Sequence, residues 1–151
     1  LTVFPARLTG VPDACKSPPR FIWDLAVRLA MALLQFDTSV EMTGLEKQEF
    51  AATARQLYSE KMQTGTSDVA VVVRPRTPAE LSIGRATDDP RLLFLDAQVG
   101  ADLSTDRKQE FASAVMNTAA STFGVPKPNM KVVFTEHEDE SMMGYDHAKS
   151  D

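Results

Sequence analysis

Arg74 and Arg76, one residue apart in "RPRTP", are the residues best suited by type and spacing to hold a small acid. A guanidinium presents paired N–H donors that match the two oxygens of a carboxylate. Both follow the apolar run "VAVVV", so they stand at a strand end, where alternate side chains share a face. Pro75 between them disturbs that count, and two solvated strand-end charges is the plainer reading. Arg91 and Lys61 are weaker candidates of the same kind. "HEDE", from His137 to Glu140, has the residue types of a metal site. Consecutive side chains point in different directions, however, whereas metal ligands come from spaced positions. The stretch reads as a solvated acidic loop, and no metal or other cofactor is expected. His147 belongs to a polar tail, and Cys15, the one cysteine, reads as an incidental thiol. No serine–histidine–acid arrangement, phosphate-binding glycine loop or zinc spacing is present.

The chain that must position such groups has 151 residues, 43% hydrophobic and 25% charged, enough for one core. A net charge of −5 argues against nucleic acid as a partner, since phosphate binding needs a basic face. No stretch reaches the roughly 18 to 20 uncharged apolar residues of a membrane span. "LAVRLAMALL", the nearest, is short and carries Arg28. With a lone cysteine and no anchor motif, a cytoplasmic location is expected. Residues 1–30 are proline-containing and net +2, against −7 for the rest, and read as a leader or upstream extension. A domain over 31–146 and a polar tail over 147–151 complete the division.

That domain contains a duplication. "KQEFA" occurs at Lys47–Ala51 and at Lys108–Ala112, an offset of 61. The same offset carries "AVVV" at 70–73 onto "KVVF" at 131–134. "LLQFDTSV" at 33–40 resembles "LLFLDAQV" at 92–99 with an offset of 59, which implies a two-residue length change within the unit. Each copy reads strand, helix, strand. Thr43 and Glu46 form a capping box, and Phe50, Ala54, Leu57 and Tyr58 form one helical face to about Met62, with Gly65 as the stop. Ser104 caps the second helix, Phe111, Val115, Ala119 and Phe123 make its stripe, and Gly124 and Pro126 end it.

The predicted fold is therefore α/β (α+β), a tandem βαβ repeat with two helices on one face of a four-stranded mixed sheet. Right-handed crossovers put both helices on the same side. The uncovered side is expected to be apolar and to associate with other copies. A ferredoxin-like monomer with a half-polar sheet is the alternative.

Over residues 32–146 the pieces, in order, resemble the tautomerase superfamily, in its macrophage migration inhibitory factor-like branch. "ALLQFDTSV" matches the first strand, "VAVVV" with Pro75 the second, and "LSIGR" through "LLFLDAQVG" the central hairpin region. "VPKPNMKVVF" and "MMGYD" match the last helix-to-strand turn and the C-terminal segment. The resemblance implies a homotrimer and an amino-terminal proline as general base. Ala32 occupies that proline's position, after Met31. The family's pocket lysine falls at Thr64, and its tyrosine and asparagine at Val132 and Phe134. Leu33, Val99, Met143 and Tyr145 keep the apolar lining.

Two functions are open on these residues. One is keto–enol isomerisation of small α-keto or enol carboxylates such as phenylpyruvate, weak or altered without the proline, with the two arginines holding the carboxylate. Ala32 would serve as a base only if its amine were free. The other is a non-catalytic trimeric binding protein of the same fold.

Overall fold

The computed structural model describes residues 31–138 and 141–144. The leader, Cys15, Tyr145, His147 and the C-terminal tail lie outside the described residues, as do Asp139 and Glu140.

Strand β1 (Ala32–Thr38) leads into helix α1 (Gly44–Met62) and strand β2 (Val69–Pro75). A short 3-10 turn (Pro78–Glu80) and an irregular stretch reach β3 (Leu93–Gly100), α2 (Thr105–Phe123) and β4 (Met130–His137). The sheet order is β2-β1-β3-β4. β1 and β3 pair antiparallel at the centre, and each has its own partner strand parallel on the outside. Of the stretch matched by resemblance to a hairpin region, 81–100, residues 81–92 form no strand and the remainder is β3.

The duplication is real, but its offset is uniform. Both helices have 19 residues, and their N-caps, Thr43 and Ser104, lie 61 apart. Ala32 pairs with Val69 and Leu93 with Met130, a spacing of 37 in each unit. The first strands are therefore also related by 61, so Asp37 corresponds to Gln98 rather than to Asp96. A two-residue slip leaves every strand side chain on its own face, so hydrophobic pattern alone could not separate 59 from 61. Gln35 stands opposite Asp96, its own counterpart, and the approximate twofold passes between them.

Local chemistry sets the helix ends as the sequence suggests, with one change. Thr43 and Glu46 cap α1 reciprocally, at 3.1 and 2.8 Å. The helix stops with Gln63 in the left-handed region (φ 55°), two residues ahead of Gly65. Gly124 ends α2 at φ 71°, and a Cβ there would come within 2.6 Å of an Arg91 guanidinium nitrogen. That guanidinium donates to the helix's last carbonyl, Phe123 O, at 2.7 Å.

The core lies between helices and sheet. Leu34, Phe36, Leu93, Leu95, Ala97 and Val99 from the central strands are almost fully buried there. Phe50 of α1 meets Phe36 edge-on at 4.8 Å and Phe123 of α2 at 5.6 Å, joining both units. Buried Asn129 holds the irregular stretch in place. Its amide donates to Asp89 O and Arg91 O, and its oxygen accepts from the Thr87 amide.

The opposite sheet face departs from expectation. Val72 and Val133 on the outer strands are exposed apolar groups, as predicted. The central strands, however, place Gln35, Asp37, Asp96 and Gln98 on that face, because the core takes the alternate positions. The uncovered face is thus half polar. Among the described residues, no helix is long and apolar enough to cross a membrane.

Candidate functional site

Antiparallel pairing of β1 with β3 brings the starts of β1 and β2 to the same sheet end as the finishes of β3 and β4. A cavity of about 590 Å³ opens there on the face away from the helices. Met31, Leu33 and Ala70 supply apolar walls, and Met142, Met143 and Gly144 border it from beyond β4. Its polar groups come from alternation along the strands, which turns Gln35, Gln98 and His137 to this side. Asp68, in the turn entering β2, adds a carboxylate. No lysine or arginine is among the described lining residues.

Of the residues singled out from sequence, the structure brings Ala32, Leu33 and Met143 to this cavity. Ala32 is buried, with its nitrogen in the peptide bond to Met31 and donating to Asp68 O at 3.3 Å. An amide nitrogen so engaged has no lone pair to offer as a base. Thr64 does not line the cavity. Its backbone closes the end of α1 instead, donating to Ser59 O and accepting from the Ser59 hydroxyl. Val99 is fully buried on the helix side, and Val132 and Phe134 pack against the same core, Phe134 edge-on to Phe111.

Arg74 and Arg76 stand at the far end of the sheet. Arg74 pairs with Asp37, five residues along from the Ala32–Val69 pair, a separation of about 16 Å at strand rise. The backbones of Arg76 and Ala32 thus stand at opposite ends of the sheet, whereas the Arg74 guanidinium reaches Gln35, a lining residue of the cavity. Both are engaged, Arg74 Nε donating to Asp37 Oδ1 at 3.1 Å and Arg76 Nε at 2.9 Å. Arg74 also donates to Gln35 Oε1 at 2.8 Å. Burial pushes the Asp37 carboxyl up, but the Arg76 and Arg74 hydrogen bonds and charges outweigh it and hold the group below its ordinary value.

His137 is the lining residue that sequence reasoning set aside. "HEDE" was read as a loop, whereas β4 runs through His137 and ends there. The duplication was the available signal: an offset of 61 makes His137 the counterpart of Arg76 at a strand end. Among the described residues, no group of three histidine, cysteine, aspartate or glutamate side chains is placed to hold a metal.

With this geometry in hand, likeness to known proteins can be judged. No family model and no curated protein matches the sequence. Solved structures match its fold. The macrophage migration inhibitory factor-like protein of Entamoeba histolytica is 19% identical with a TM-score of 0.66, covering 78% of this chain and 97% of that one. A fused 4-OT, solved as a symmetric trimer, is 14% identical at a TM-score of 0.63, covering 72% and 88%. The FG41 malonate semialdehyde decarboxylase inhibited by 3-bromopropiolate is also 14% identical, at 0.64, covering 75% and 88%. The chain has the tautomerase-superfamily fold, as the sequence resemblance implied.

Proposed function

We propose that three copies of this chain associate and that the cavity beside Ala32 slowly isomerises small α-keto or enol carboxylates, phenylpyruvate among them. The observation that carries this reading is the coincidence of two positions: the residue matched to the family's proline is also a wall of the cavity. Proline-type catalysis is absent while Ala32 nitrogen remains an amide, so the activity is weak or uses another group. In this reading Arg74, whose guanidinium reaches the lining residue Gln35, and Arg76 hold the substrate carboxylate, from the same chain or from an adjacent copy. The engaged Ala32 amide also favours a second reading, a non-catalytic trimer that binds a small carboxylate in the same place.

The test is ketonisation of the phenylpyruvate enol, followed by ultraviolet absorbance, for the full chain and for a version beginning at Ala32. Turnover by both assigns the proton transfer to a side chain, and turnover by the shortened form alone assigns it to the α-amine. Inertness of both leaves the binding reading.

A further inference from the structure

We infer that His137 is the general base of this cavity, relaying a proton between oxygen and carbon of a keto–enol substrate; this rests on the tautomerase reading above. Asp37 and Arg76 of the first unit become Gln98 and His137 of the second. In both pairs a residue at or just beyond the end of the later strand hydrogen bonds back to the neighbouring strand. In the first unit the result is an ion pair. In the second it is an imidazole and an amide, and these line the cavity.

The hydrogen bonds fix the tautomer. Gln98 Nε2 donates to Asp96 Oδ1 at 2.9 Å, a carboxylate oxygen that can only accept from an amide. The amide is thereby oriented, and its Oε1 is left toward His137 Nε2. An amide oxygen only accepts, so the hydrogen lies on Nε2. In the neutral ring Nδ1 then carries the free lone pair. An oriented imidazole with one nitrogen tied to a hydrogen-bonded partner is the arrangement a base requires. Asp68 is the other titratable group of the described lining, and its backbone oxygen accepts from the Ala32 amide.

In ketonisation Nδ1 accepts the enol O–H proton, leaving an enolate oxygen. As an oxygen electron pair forms the carbonyl, the carbon–carbon π pair takes that proton from Nδ1 onto the α-carbon, and the neutral imidazole is restored. No oxidant, metal or co-reactant enters. No cation is among the described lining residues, so comparing an acid with its uncharged ester reads the part that the arginines play in holding the substrate.

The experiment follows ketonisation of the enols of phenylpyruvate and its methyl ester by the full chain, His137→Gln and His137→Ala. Glutamine keeps a donor toward Gln98 but has no base, and circular dichroism and solution mass establish that each variant is folded. The expected result is a loss of at least about 100-fold in His137→Gln, the usual share of a general base. Added imidazole should restore His137→Ala, which a merely structural role would not permit. An unchanged rate in His137→Gln overturns the assignment to His137 and leaves the tautomerase reading standing. Loss without imidazole rescue also overturns it. If the parent turns over neither enol, both fall together.

Discussion

At the level of single residues, the arginines and the histidine show what one strand's sequence can and cannot reveal. Arg74 and Arg76 were legible as strand-end charges, yet their partner Asp37 was not, because a 19-residue helix separates the two strands. The consequence is a pH dependence. A carboxylate with a depressed folded pKa contributes stability above its unfolded value of about 3.9, and loses it as pH falls through the folded value. Urea midpoints should therefore fall more steeply below about pH 4 in the parent than in Asp37→Asn. Tyr58 supplies a second case. It read correctly as an apolar-face residue, but its hydroxyl is buried without a partner among the described residues, and burial pushes its pKa up. An unsatisfied buried hydroxyl costs about 1 kcal/mol or more. Tyr58→Phe should raise unfolding stability by about that amount, with the ring contact to Phe111 at 5.3 Å retained. A destabilised Tyr58→Phe would show that the hydroxyl does have a partner.

At the level of elements, caps were the most readable feature because their chemistry is local. Thr43 with Glu46, Ser104 and Gly124 act where the sequence placed them. Gly65 does not stop α1, since Gln63 takes the left-handed position first and the Ser59–Thr64 bonds close the turn. The 59-residue offset failed for a different reason: strand patterns repeat every two residues, so a two-residue error costs the pattern nothing. Only the pairing of β1 with β2 and β3 with β4 reveals it, and with it the equivalence of Asp37 and Gln98. Asn129 was invisible as a core residue, because what it satisfies is three backbone groups of a distant loop. Gly124→Ala tests the α2 terminus. Both the positive φ and the Arg91 contact oppose a methyl group, and a loss of about 1–3 kcal/mol is expected in urea unfolding. A neutral result would mean that Arg91 swings clear and the helix end relaxes.

Taken as a whole molecule, the tandem βαβ fold was legible from the repeat, while the character of the free sheet face was not. Counting apolar runs in β2 and β4 suggested an apolar face, but the polar alternates of β1 and β3 occupy its centre. Association through such a face would pair polar centres as well as bury Val72 and Val133 at its margins. A trimer predicts a sedimentation mass three times that of the chain, and a monomer on Val133→Asp, which puts a charge on that surface. A parent that sediments as a monomer would return the ferredoxin-like alternative. The proposed site lies at the Ala32 end of the sheet, away from the strand ends that carry the arginines. Amide chemical shifts measured by NMR during titration with phenylpyruvate test it most directly. The account predicts that the shifts cluster at Leu33, Ala70, Gln98 and His137; shifts confined to Arg74, Arg76 and Lys131, with the Ala32 end silent, would contradict it.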